Sequence, residues 1–269
     1  MASDTAVIRA ATWNVWWLFG EQWHRRERGI VATLEQWNPD VFGFQEAWAF
    51  GDRSQADALA EELGMHPAFV EPGYPPPPNP VEHPDQIGVR MGLGLLSRWP
   101  IKRFVPRELP SPGGELVAMQ ATIAHPLGDL HAIVAGTTGE PQHRAAHAAQ
   151  LAALGDLACD PALDGVLPVL LLGDLGADFE NDSMRMLRER LVDTWGSVHN
   201  EVDPRTLSAT NRFASPDAEL RFNRRIDHVM ARPGWADAPV VVRGSWIARE
   251  EFDGLPPSDH YPVFTDLEV

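Results

Sequence analysis

The segment AVIRAATWNVWWLFGEQWHRRERGIVATLEQWNPDVFGFQE, residues 6–46, decides the fold. Ala6 to Val15 is apolar and strand-prone. Glu21 to Trp37 sets Trp23, Ile30, Val31, Leu34 and Trp37 near helical spacing, and Val41 to Gln45 is a second apolar run after Asn38-Pro39. The order is strand, helix, strand. It returns further on, with Leu130 to Thr137 as a strand, His143 to Ala158 as an Ala- and Leu-rich helix, and Val169 to Gly173 as a buried strand. The chain reads as two similar halves joined.

Between the halves, Leu93 to Ser97, Ile101 to Leu109 and Leu116 to Ala124 read as strands, broken by Trp99-Pro100 and Ser111-Pro112-Gly113-Gly114, with a hairpin turn at Leu127-Gly128-Asp129. Arg225 to Ala231, Val240 to Ala248 and Pro262 to Leu267 supply matching strands in the second half, and Asp182 is placed to cap a helix from Ser183 to Arg190. Many strands and few helices predict packed sheets. Glu71 to Pro84 carries Tyr74 and four consecutive prolines, which cannot donate ladder hydrogen bonds, so it is a loop. No low-complexity linker divides the chain, and residues 1–269 are read as a single domain.

Composition narrows the partners. A net charge of −16 lacks the basic footprint that holding long nucleic acid requires, and favours a small substrate or a divalent cation, although acidity also serves solubility alone. Cys159 is the only cysteine, which excludes an intramolecular disulfide and a cysteine-rich zinc site and fits a reducing cytoplasm. Neither a leader-like segment at Met1 to Ile8 nor an uncharged run long enough to span a bilayer is present, so a cytoplasmic protein without a membrane partner is expected.

Four polar residues stand where apolar strands are expected to end: Asn14 in Thr12-Trp13-Asn14-Val15, Glu46 in Gly43-Phe44-Gln45-Glu46, Asp174 in Leu172-Gly173-Asp174 and Asp227 in Arg225-Ile226-Asp227-His228. A carboxylate emerging at the edge of a buried sheet is costly unless a metal or a donor meets it. Taken singly, each is equally a cap or turn residue. Ser258-Asp259-His260-Tyr261-Pro262 adds an acid and an imidazole before the last strand. Neighbours on an extended segment face opposite sides, so both line one site only where the loop turns into the strand.

Together these segments resemble the endonuclease/exonuclease/phosphatase superfamily of metal-dependent phosphoesterases. The resemblance runs nearly end to end through Thr12-Trp13-Asn14, Phe44-Gln45-Glu46, Leu95-Leu96-Ser97-Arg98 with Pro100-Ile101, Leu171-Leu172-Gly173-Asp174, Arg225-Ile226-Asp227-His228 and Ser258-Asp259-His260-Tyr261-Pro262, in the family's order. It implies a four-layered α/β sandwich, two packed mixed β-sheets flanked by helices, with the site at the ends of both sheets. It further implies that Glu46 binds Mg²⁺ or Mn²⁺ with help from Asn14 and Asp259, oxygen donors of the kind such hard cations take. Asp174 would orient or deprotonate the attacking water, His260 would contact the scissile phosphate, and Asp227 would support the histidine or the phosphate side.

The chain departs from the family pattern twice. Gly176 stands where Gly-Asp-x-Asn carries its Asn, and Thr138 stands where a Thr-His pair carries its His. A lost donor of this kind costs roughly 3 kcal/mol of transition-state stabilisation, and Thr cannot be protonated near neutral pH. Smaller side chains on both loops predict a substrate pocket, bordered by Thr138 and Gly176, that is wider than usual, and neither His143 nor His147 is expected to compensate. The leading expectation is a divalent-metal-dependent hydrolase of phosphodiesters or phosphomonoesters, attenuated or redirected by these two changes. A non-hydrolytic binding protein and a site remodelled for a non-phosphate reaction stay open. Small phosphoesters or short nucleotides are the expected substrates, with Arg53, Arg90, Arg98, Arg221, Arg224 and Arg225 available to meet phosphate.

Overall fold

Strands buried on both faces read as unbroken apolar runs rather than alternating ones, and the two runs quoted first behave in this way. The computed structural model describes residues 6–111, 114–139, 143–199, 203–214, 223–235 and 238–269. In chain order its elements are β1 (Val7–Asn14), α1 (Trp23–Trp37), β2 (Val41–Phe50), β3 (Arg53–Ser54), α2 (Gln55–Leu63), β4 (His66–Val70), β5 (Arg90–Ser97), β6 (Ile101–Glu108), β7 (Val117–His125), β8 (Gly128–Gly136), α3 (Arg144–Ala158), β9 (Val169–Asp174), α4 (Arg185–Arg188), β10 (Val192–Asp193), β11 (Asp227–Arg232), β12 (Val241–Ile247) and β13 (Val263–Glu268).

One sheet has seven strands in the order β12-β13-β1-β2-β5-β4, with β3 paired to β2, and the other has six in the order β10-β11-β9-β8-β7-β6. Ile8 and Ala10 of β1 and Leu170 and Leu172 of β9 meet in the core between the sheets. On its other face β1 gives Ala11 and Trp13 to a second core, where Ile30 and Leu34 of α1 and Leu59 of α2 cover that sheet. The other face of β9 gives Val169 and Leu171 to a third, covered by Leu151, Leu154 and Ala158 of α3. Helix, sheet, sheet and helix form the four layers expected. No helix among the described residues is long and apolar enough to cross a membrane.

Three local expectations need correction. α1 begins at Trp23, not Glu21, because Gln22 adopts a left-handed conformation with φ 60. The helix expected from Ser183 to Arg190 is a 3-10 turn, Asp182–Met184, followed by the short α4, and its cap is Asn181, whose Oδ1 accepts from Ser183 N–H at 3.0 Å, not Asp182. β2 does not stop near Glu46 but continues to Phe50.

Candidate active site at the joined ends of the two sheets

Topology gathers the polar residues. β1 and β2 run parallel with Asn14 opposite Gln45, and β8 and β9 run parallel with Gly136 opposite Asp174. Both parallel pairs therefore end at the same edge of the sandwich. Asp227 reaches that edge differently from what its sequence context predicts: it opens β11, which runs antiparallel to β9 and pairs Asp227 with Asp174. β13 pairs antiparallel with β1, so the segment just before Val263 passes the end of β1, where the Trp13 indole donates to the His260 carbonyl at 2.9 Å.

Glu46 sits within β2, at the break in register between Phe44 and Ala47. Its φ of 55 is left-handed, a conformation that costs a non-glycine residue on the order of 1 kcal/mol and recurs at functional sites. The bulge turns the carboxyl inward, where bulges re-aim side chains. The Asn14 amide Nδ2 donates to Glu46 Oε1 at 2.7 Å and, across the gap between the sheets, to Asp174 Oδ2 at 3.0 Å. Asn14 Oδ1 accepts from Trp16 N–H at 2.9 Å, so the amide nitrogen faces the two carboxyls.

His260 completes the arrangement. Its Nδ1 lies 2.9 Å from Asp227 Oδ2 and its Nε2 lies 4.0 Å from Asp174 Oδ2. Ser258 fastens the loop to β1 by donating from Oγ to the Asn14 carbonyl at 2.7 Å, and the same Oγ accepts from His260 N–H at 3.1 Å. Asp259, partly exposed, takes a longer bond from Ser258 Oγ at 3.3 Å.

Burial and crowding of like charge set the protonation states. Burial, with Asp259 adding repulsion, pushes the Glu46 carboxyl up to about 8. Burial and then Asp227 push Asp174 up to about 6. The Asp259 carboxyl is raised by burial against the pull of His260 and Arg26. Burial opposes charge on His260, yet Asp227, Asp259 and Asp174 outweigh it and hold the imidazole protonated well above its ordinary range. Glu46 Oε2 and Asp227 Oδ1 are buried with no hydrogen-bond partner among the described residues.

Orphaned carboxylate oxygens beside a partly exposed carboxylate fit a hard divalent cation, which takes oxygen ligands. Glu46, buried, and Asp259, partly exposed, offer carboxylate oxygens at this edge. The ligating atoms of Asp174, Asp227 and His260 also lie within 4.8 Å of one another, a second group of donors able to meet a metal.

The sequence pattern of the endonuclease/exonuclease/phosphatase family matches residues 11–260. The chain belongs to that family. Membership places it with divalent-metal-dependent phosphoesterases and nucleases. Among solved structures it is similar to D. rerio TDP2 complexed with single strand DNA product, with a TM-score of 0.77 at 15% identity over 98% of this chain and 100% of that one. It is also similar to an endonuclease/exonuclease/phosphatase from Beutenbergia cavernae, with a TM-score of 0.70 at 24% identity over 98% of this chain and 72% of that one. TDP2 from C. elegans matches with a TM-score of 0.75 at 15% identity over 100% of this chain and 78% of that one. At these identities the likeness is one of fold. No curated protein matches the chain.

Against the family pattern, Thr138 and Gly176 have structural duties. Thr138 donates through both its N–H, at 3.0 Å, and its hydroxyl, at 3.2 Å, to Gln150 Oε1, and Gln150 Nε2 donates to the Pro110 carbonyl at 2.9 Å. Gly176 has φ +61 and gives its N–H to Asp174 Oδ1 at 3.1 Å. A Cβ at Gly176 would lie 2.9 Å from Gly139 Cα. The two loops do face one another, but backbone contact closes the space between them, and the expected widening is absent there.

His147, not expected to compensate, and four of the arginines named as available to phosphate are engaged elsewhere. His147 Nε2 bonds the Leu175 carbonyl at 2.8 Å and steadies the loop after Asp174. Arg53 pairs with Glu61, Arg90 with Glu71, Arg98 with Asp40 and Arg225 with Asp193. Arg221 lies outside the described residues. Two supporting residues give no signal in the sequence. Asn211 Nδ2 donates to the carbonyls of Ser258 and Asp259 at 3.0 and 3.1 Å, and Thr206 Oγ1 accepts from Asp227 N–H at 3.1 Å.

Proposed function

We propose that the protein is a divalent-cation-dependent phosphoesterase of small phosphoesters or short nucleotides, turning over slowly. The observation that carries this reading is the Asn14 amide, bonded at once to Glu46 on one sheet and Asp174 on the other. It ties a candidate cation ligand to a candidate base. Glu46 and Asp259 would hold Mg²⁺ or Mn²⁺, which when bound polarises a phosphoryl oxygen and offsets its charge.

Asp174 serves as the base that orients and deprotonates water, and its elevated pKa of about 6 suits that task near neutrality. Asn14 and the Gly176 N–H hold its two oxygens in place. His260, kept protonated by its acidic neighbours, donates from Nε2 to the oxygen on which charge develops, while Asp227 fixes the ring through Nδ1. No side chain from Thr138 or Gly176 supplies the further donor that the family pattern carries, which supports the slow turnover. The net charge of −16 favours a small anion over long DNA, even though one structural neighbour is seen with a single-strand DNA product.

The test is hydrolysis of bis-nitrophenyl phosphate with Mn²⁺ or Mg²⁺ by the wild-type protein and by Glu46→Gln, Asp174→Asn and His260→Gln. Each substitution is expected to lower kcat by about a hundredfold or more. Hydrolysis that survives all three unchanged rejects the assignment.

A further inference from the structure

Arg26 is a fully buried guanidinium in the first turn of α1, 1% exposed and facing no carboxylate within pairing distance among the described residues. A buried cation is expensive unless its donors are met, and here backbone carbonyls meet those of the two terminal nitrogens, while Nε has no hydrogen-bond partner among the described residues. One terminal nitrogen reaches the Val15 carbonyl at 3.3 Å and the Pro257 carbonyl at 3.2 Å. The other reaches the carbonyls of Trp16, Trp17 and Phe19 at 3.4, 3.1 and 2.7 Å.

These carbonyls belong to two separate loops. One follows Asn14 directly and curls under the Trp16 ring, which lies 4.7 Å from the guanidinium carbon. The other leads into Ser258, Asp259 and His260. Gly29, one turn along the helix, lets α1 lie against the second loop, since a Cβ there would come within 2.9 Å of the Pro257 ring. A planar fork with several donors can hold two strands of backbone in one register, which a point charge on a flexible stem cannot.

We propose that Arg26 is a positioning residue for the cation site, fixing Asn14 and Glu46 on one side against Asp259 and His260 on the other. This rests on the cation-dependent reading above. Arg26 touches neither substrate nor cation. It acts through the carbonyls on either side, and its positive charge also reaches Asp259 and Glu46, where it relieves the crowding of acids.

The experiment compares Arg26→Lys and Arg26→Met with Leu34→Ala, a core truncation two turns further along the same helix that lowers Tm and removes none of the Arg26 hydrogen bonds. Mn²⁺ binding is read by electron paramagnetic resonance on the folded fraction. Amide hydrogen exchange of Trp17, Phe19 and His260 is read in the cation-free protein. Arg26→Lys is expected to weaken Mn²⁺ about tenfold, to lower kcat at saturating Mn²⁺, and to speed exchange at those amides on both loops. Leu34→Ala is expected to leave all three at wild-type values relative to its lowered stability. Arg26→Met is expected to show a larger loss; if it does not fold, Arg26→Lys decides alone. Wild-type affinity and wild-type exchange in Arg26→Lys overturn the role of Arg26, whereas a wild-type protein that binds no Mn²⁺ overturns the cation-dependent reading instead.

Discussion

Replacing Glu46 by Gln should make the cation-free protein more stable. In the folded chain Glu46 titrates at about 8, against an ordinary 4.5. A carboxyl with a raised folded pKa is held in its protonated form by the fold, so its contribution is intact below 4.5 and is lost progressively as pH rises toward 8. At pH 7 the linkage amounts to roughly 3 kcal/mol against the folded state. Gln keeps an oxygen for the Asn14 amide and removes the charge. Calorimetry in chelator should therefore show Glu46→Gln melting roughly 6 °C or more above wild type at pH 7 for a chain of this size. The two curves should converge near pH 4.5, and Mn²⁺ should raise wild type but not the variant. A variant no more stable than wild type at pH 7 in chelator refutes the reasoning, because it would mean that the buried acid carries no electrostatic penalty for a cation to relieve.

His228 is buried between the Ala177 carbonyl and Arg225, and burial, then Arg225, lower it to about 4. A base with a lowered folded pKa costs stability as pH falls from 6.5 toward 4, by roughly 3 kcal/mol when complete, so pH-dependent melts of His228→Gln should be flatter than wild type over that window. Asp227→Asn removes a partner that keeps His260 charged, and the alkaline limb of the pH-rate profile should move to lower pH; an unmoved limb counts against His260 as the acid. Gly176→Asn should fail to restore the missing amide, because its Cβ meets Gly139 backbone: calorimetry should show a loss of about 1–3 kcal/mol, with no gain in phosphodiester hydrolysis.

The buried strands were legible in the sequence wherever burial on both faces left an unbroken apolar run, as in Val169–Leu172, whereas the four layers came from the family resemblance and the strand order within each sheet from the structure. The candidate site was legible because polar residues close those runs. Glu46 and Asp227 do lie at the edge shared with Asp174, but by a local geometry other than expected, since a bulge inside β2 and an antiparallel entry into β11 depend on partner strands that no local pattern announces. α2 was missed although Ser54 and Asp57 form a reciprocal cap on it, because its nine residues give too few turns for periodicity to show. Arg26 was invisible for a different reason. In the run His24-Arg25-Arg26-Glu27-Arg28 every side chain reads as solvated surface, and only the tertiary approach of two loops selects which arginine turns inward. Thr138 and Gly176 stand out in the sequence only as departures from the family's pattern, because the Gln150 clasp and the Gly139 contact that occupy them are tertiary.

The Asn14 amide has a consequence for how the molecule would wear under heat. One side chain bonded to both sheets couples Glu46 to Asp174, so a parting of the sheets at this edge breaks the site with it, and cation binding should not outlast the core on warming. By mass action a cation held by Glu46 and Asp259, at a hundredfold excess over its dissociation constant, would add about 2.7 kcal/mol to the stability of the fold. It would act from one sheet, with the Asn14 amide as the link to the other.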